Sequence, residues 1–183
     1  MKATEKAYTA AAIDGDGSIM IGSTGHMEGG FGLMIELGQM APGKPMAEYL
    51  HSLWGGRMIT SARNSGTYWQ WTVGAKMGKK LLLKCLPYFQ NKKGQARLGI
   101  AFQILRDAWM VRMRSLPSSQ RQVPEDLLLL YQRLRFMMKS LNGRGTEGIA
   151  SATETEREGL IAEVREYARQ LQGATVRSTR IEN

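Results

Sequence analysis

Apolar and polar residues alternate along three short stretches in the first half of the chain, and helical spacing takes over in the second half. Ser18 to Thr24 points Ile19 and Ile21 one way and Ser18, Met20, Gly22 and Thr24 the other, as a strand does. After a glycine-rich loop at 25–30, Phe31 to Gln39 puts Phe31, Leu33, Ile35 and Leu37 on one face and Gly32, Met34 and Glu36 on the other. Arg57 to Ala62 and Thr67 to Val73 form a second hairpin about Arg63-Asn64-Ser65-Gly66, in which Trp69, Trp71 and Val73 alternate with Tyr68, Gln70 and Thr72.

Helices precede, separate and follow these hairpins. Thr4 to Ile13 is a short helix with Thr4 the expected N-cap. Lys44 to Trp54 has Pro45 near its start and ends at Gly55-Gly56. Lys76 to Tyr88, closed by Pro87, and Lys92 to Met113 carry apolar stripes. Pro124 suits the first position of a helix reaching Leu141, and a capping box from Thr153 to Glu156 opens a last helix to about Leu171. The order predicts one α+β domain over residues 1–183. Its core is 4–113, its C-terminal helices are 124–171, and the tail 172–183 is expected to fray.

The first helix has an unusual surface. Ala7, Ala11 and Gly15 fall four apart with Ala10 beside them, so one face is nearly bare of side chain. Such a face lets another helix approach to the short end of the usual range of roughly 8–10 Å. At its end stands Asp14-Gly15-Asp16-Gly17, followed by the first strand. A plain turn is one reading, because Asp and Gly favour turns. A calcium loop starting at Asp14 would need Glu in its twelfth position, where Gly25 stands. A dinucleotide loop would need a third glycine at Met20 and a strand before it.

Composition narrows the partners. With 25 basic against 16 acidic residues the chain carries a formal charge of +9, which favours a polyanion such as nucleic acid. The single Cys85 excludes an internal disulfide and fits a reducing, intracellular compartment: a cytoplasm, or an organelle matrix or stroma. No apolar run approaches the roughly 20 residues of a membrane span, and no secretory signal is read at the N-terminus. The histidines and Cys85 lack zinc-site spacing, and no nucleophilic triad stands out.

Chemistry therefore falls to the acidic corner and the polar face of the sheet. Hard cations such as Mg²⁺ take carboxylate and carbonyl oxygens together with waters and substrate phosphate, which makes Asp16 the best metal-ligand candidate. The polar face carries Met20, Thr24, Glu36, Gln70 and Thr72, with Arg57, Ser61 and Arg63. A curved sheet with that face can enter a DNA major groove, although an ordinary solvated face would look the same. Gln39 and Lys92 alone read equally as surface decoration.

The ordered set of residues changes that balance. Thr9 to Gly17, TAAAIDGDG, resembles the nine-residue signature of the LAGLIDADG homing endonucleases, with Asp16 at the metal-binding acid. The resemblance continues through Gly17-Ser18-Ile19, Gln39, Tyr49-Leu50, Gly55-Gly56, Tyr68 to Val73 and Leu86 to Ala96, and covers about residues 5 to 105. Thr9 and Ala11 depart from the Leu and Gly frequent in the family, and Ala11 keeps the surface small. The resemblance implies an αββαββα fold with a saddle-shaped antiparallel sheet over double-stranded DNA and additional C-terminal helices. It implies a homodimer, since only one signature is present, packed through Ala7, Ala10, Ala11 and Asp14 about a two-fold axis. It implies cleavage of both strands of a long, nearly palindromic site to leave 3′ overhangs, with Mg²⁺ as cofactor, Mn²⁺ as a substitute, and Ca²⁺ supporting binding only. Membranes and small-molecule substrates are not implied. Asp16 and the Gly15 carbonyl would hold the metal, Asp14 would be mainly structural, and Gln39 and Lys92 would surround the scissile phosphate. The DNA contacts would come from Ser18, Met20, Thr24, Met34, Glu36, Arg57, Ser61, Arg63, Tyr68, Gln70 and Thr72. A non-cleaving binder on the same fold, such as an RNA maturase or a regulator, is the alternative.

Overall fold

Alternation along the strands decides which side of the sheet meets the helices. A computed structural model describes residues 1–23, 30–41, 43–63, 66–143 and 153–181, with the side chains of Arg63 and 174–181 left aside. Its elements are α1 (Ala3–Asp16), β1 (Gly17–Ser23), β2 (Phe31–Met40), α2 (Lys44–Trp54), β3 (Arg57–Arg63), β4 (Gly66–Gly74), α3 (Ala75–Cys85), α4 (Lys93–Arg114), α5 (Glu125–Leu141) and α6 (Glu154–Ile181). The four strands form one antiparallel sheet in the order β1-β2-β4-β3. Ile19, Ile21, Leu33, Ile35, Leu37, Trp71 and Val73 are buried on one face against the helices. Fully burying a side chain of this kind stabilises by roughly 1.5–3 kcal/mol, so the register is strongly specified: a one-residue slip would turn the whole set to solvent.

The helices divide the work of covering that face. α1, α3 and α4 pack under β1 and β2, α2 lies under β4 and β3, α5 runs along β1, and α6 packs mainly on α4. Trp54 ties α2 to α1. Its indole N–H donates to Thr9 Oγ1 at 3.0 Å, and Thr9 Oγ1 donates to the Glu5 carbonyl at 2.8 Å. The turn from α2 into β3 needs glycine. Gly56 has φ +94, and a Cβ there would come within 2.3 Å of the Thr72 carbonyl oxygen.

Several expected boundaries move. α1 continues to Asp16, so both acids lie within its last turn and not in a separate corner. It begins at Ala3, because the Lys2 N–H donates to the Glu5 carboxylate at 2.6 Å and Thr4 is already inside the helix. Pro124 is the N-cap of α5, with extended ψ of 147, and not its first helical residue. The capping box at Thr153 forms: Glu156 N–H donates to Thr153 Oγ1 at 3.2 Å and Thr153 N–H to Glu156 Oε2 at 2.8 Å. α6 runs past Leu171 to Ile181.

Candidate functional site

The last turn of a helix leaves carbonyl groups without intrahelical partners. At the end of α1, one side chain reaches two carbonyls of that turn, Asp14 and Ile13, the latter also accepting the Gly17 N–H. Lys92 Nζ donates to the Ile13 carbonyl at 2.9 Å and to the Asp14 carbonyl at 2.5 Å. A cation there also complements the negative end of the α1 dipole. Burial pushes the Lys92 ammonium below the usual lysine value, and the Asp14 and Asp16 carboxylates hold it up against that. Lys92 is therefore an inward, partly desolvated cation between α1 and α4, not surface decoration.

The two acids of the corner point in different directions. Asp14 turns toward the start of α4: its Oδ2 accepts the Gln90 N–H at 2.7 Å and the Asn91 N–H at 3.3 Å, and its Oδ1 accepts the Lys92 N–H at 2.8 Å. Asp16 stays exposed, and its Oδ2 accepts a hydrogen bond from Gln39 Nε2 at 2.7 Å. Gln39 reaches it from the end of β2, where Gly43 leaves room: a Cβ on Gly43 would lie 2.5 Å from Gln39 Oε1. Gly17 carries the chain from α1 into β1, and its own Cβ would lie 2.8 Å from Ile13 Cα and 3.0 Å from the Glu36 carbonyl oxygen. Close helix-to-strand contact at Gly17 thus sets where Asp16 stands over the sheet.

This donor set suits a hard cation shared with a phosphate. Among the described residues, no three His, Cys, Asp or Glu side chains converge as a closed cage. What the corner offers is an exposed Asp16 carboxylate, the neighbouring Gly15 in the open last turn of α1, and the Lys92 cation alongside. Mg²⁺ is commonly held by one or two carboxylates with waters and substrate phosphates making up the rest.

The open face of the sheet forms a cross-strand row. Ser18 pairs with Glu36, Glu36 with Thr72, and Thr72 with Arg57, one residue from each strand. Ser18 Oγ donates to Glu36 Oε1 at 3.3 Å, and Gln70 Nε2 donates to Glu36 Oε2 at 2.7 Å. Met34, Arg57 and Ser61 are exposed, Met20 and Thr72 half-buried, and Ser18 buried. The hydroxyl end of the half-buried Tyr68 fills the space over Gly38, where a Cβ would lie 1.7 Å from its oxygen. Thr24 and the Arg63 side chain lie outside the described residues. Ile59, paired with Gln70, also belongs to this face. The alternation Arg57, Ile59, Ser61 marks it, and an eye for polar readers passes over it.

The small face of α1 divides in two. Ala11 and Gly15 are exposed, with Thr4 and Tyr8 alongside, and the space where a Gly15 Cβ would sit has no atom within 4 Å. Ala7 is half-buried. Ala10 is fully buried within the chain, and the Asp14 carboxylate is committed to α4. Neither Ala10 nor that carboxylate belongs to the free face that the sequence spacing suggests, since Ala10 lies round the helix on its inner side.

No protein-family model matches the chain, and no curated protein is significantly similar to it in sequence. Solved structures do match it. The homing endonuclease I-CvuI in complex with its target in the presence of 2 mM Ca aligns with a TM-score of 0.55 and 20% identity, over 92% of this chain and 94% of that one. I-CvuI in complex with the I-CreI target, in the presence of 2 mM Mg and with DNA not cleaved, aligns with a TM-score of 0.54 and 17% identity, over 88% and 94%. At these identities the likeness is one of fold.

Proposed function

We propose that this chain uses its LAGLIDADG homing-endonuclease fold as that family does, as a divalent-metal-dependent endonuclease that cleaves both strands of a specific DNA duplex. The observation that carries the reading is the pair Asp16–Gln39: an exposed acid, hydrogen-bonded at 2.7 Å, at the point where α1 enters the sheet. It stands beside a cation at Lys92 and at the end of the free Ala11/Gly15 face.

The geometry supports the following roles. Two copies meeting along Ala11 and Gly15 about a two-fold axis place two Asp16 side chains near each other, one for each strand. Asp16 and the Gly15 carbonyl would hold Mg²⁺, which supplies positive charge at the leaving oxygen and lowers the pKa of an attacking water. Gln39 holds Asp16 through its Nε2 and turns its Oε1 toward Gly43, where it can orient a water. Lys92, already partly desolvated, offsets charge that develops on the phosphate. The net charge of +9 favours the duplex, and the row Ser18–Glu36–Thr72–Arg57 faces its bases. The finer reading is an intron-encoded enzyme with a long, nearly palindromic target, cut to leave 3′ overhangs. Mn²⁺ would replace Mg²⁺, and Ca²⁺ would support binding alone.

The test is sequential. Duplexes that the protein retains in Ca²⁺ are recovered, cloned into supercoiled plasmid and transferred to Mg²⁺. Linear product supports the nuclease. Retention in Ca²⁺ with no nicking in Mg²⁺ supports a non-cleaving binder instead.

A further inference from the structure

Among the described residues, Glu36 is the only carboxylate on the open face of the sheet. On a surface meant for a polyanion, a lone acid needs an explanation. It is held from both sides: Ser18 Oγ donates to one oxygen at 3.3 Å and Gln70 Nε2 to the other at 2.7 Å. Those two bonds fix its rotamer without exhausting it, since a carboxylate has about four lone-pair positions. The bond to Glu36 also fixes the Gln70 amide, whose nitrogen keeps a second N–H. The pair therefore presents a committed acceptor next to a committed donor. Phosphates and acceptor-only base edges are repelled by the first. In the major groove both C·G and A·T offer an N–H donor beside an acceptor, but cytosine N4 has an acceptor, guanine O6, on one side only, whereas adenine N6 lies between two, its own N7 and thymine O4, which repel a carboxylate.

On the nucleic-acid reading proposed above, we infer that Glu36 and Gln70 together read one C·G base pair, Glu36 accepting from cytosine N4 and Gln70 donating to guanine, with Ser18 as a positioning residue. The position is an inner one. Ser18 is two residues from Asp16 and directly opposite Glu36, so this base pair lies nearer the metal-binding acid than those facing Met20 and Met34.

The experiment is selection of bound duplexes from a randomised library by the full-length protein in Ca²⁺, run in parallel for wild type, Glu36→Gln and Gln70→Ala. Wild type is expected to fix cytosine at one position of each half-site, near its centre. Glu36→Gln is expected to switch that position alone toward adenine, the base that a glutamine amide matches, by about tenfold or more. Gln70→Ala is expected to relax the same position and keep the others, which holds the inference open to test if Glu36→Gln folds poorly. Enrichment by Glu36→Gln with an unchanged cytosine preference, or by Gln70→Ala with an undiminished one, overturns this inference and leaves the DNA reading standing. No enrichment by wild type overturns both.

Discussion

Asp14 and Lys92 hold each other across the α1–α4 junction: the Lys92 N–H donates to the Asp14 carboxylate at 2.8 Å, and Lys92 Nζ donates to the Asp14 carbonyl at 2.5 Å. Asp14 thus anchors the turn at 90–92 that leads into α4, although it lies on α1, and its neighbour Asp16, held only by Gln39, stays exposed. Asp14→Ala would remove three acceptor contacts at once, leaving the amides of Gln90, Asn91 and Lys92 unpaired. A hydrogen bond to a charged group contributes about 1.5–3 kcal/mol, and the loss here should be at least of that order. Urea denaturation should show a lower midpoint for Asp14→Ala. An unchanged midpoint would remove Asp14 from the framework.

Two glycines three residues or fewer from that junction should behave in opposite ways. Gly17→Ala drives a Cβ against Ile13 Cα and the Glu36 carbonyl, and overpacking of this kind costs about 1–3 kcal/mol. Gly15→Ala meets open space within the chain. Its melting temperature as an isolated protomer should match wild type. Equal losses in both variants would place Gly15 inside the protomer.

The free face of α1 gives a separate prediction. Ala11→Phe should leave the protomer folded by circular dichroism and abolish self-association by light scattering, since the bulk is added on an exposed position. A dimer of undiminished affinity would put the interface elsewhere.

Cys85 supplies a pH dependence. Burial in the core raises its thiol from the ordinary value of 9.0 to about 12. The folded state then keeps its proton while the unfolded state gives it up. This contribution is whole below pH 9.0 and is lost as pH rises toward about 12. Native protein at pH 9 should resist iodoacetamide, and protein unfolded in urea should react rapidly. Prompt alkylation of native protein would show the site to be open.

Much of this was legible in the chain. Period-two alternation located three of the strands, hairpin pairing supplied the fourth, and of the positions the alternation marked, Ile19, Ile21, Leu33, Ile35, Leu37, Trp71 and Val73 are buried under the helices while Phe31 and Trp69 are half-buried. The strand order, with β4 between β2 and β3, was not legible, because alternation describes a strand's faces and not its neighbours. The face of α1 was half legible. Spacing of four groups small residues, but it cannot say that Ala10 turns inward and Ala11 outward. Gln39 and Lys92 gained meaning only from their likeness to a known order of residues, since their partners on α1 lie 23 and 78 positions away in sequence. Gly43 reads in the sequence only as part of the break after the second strand, because the room it leaves for Gln39 comes from folding, which brings the two together.

The account rests on Asp16. The direct measurement is Mg²⁺-dependent cleavage of a duplex selected by binding, compared between wild type and Asp16→Asn, with binding followed in Ca²⁺. The predicted result is a double-strand break by wild type and a fall of about 10³-fold or more in the variant, several kcal/mol of lost charge stabilisation, with folding and binding largely retained. Cleavage by Asp16→Asn at the wild-type rate would contradict the account.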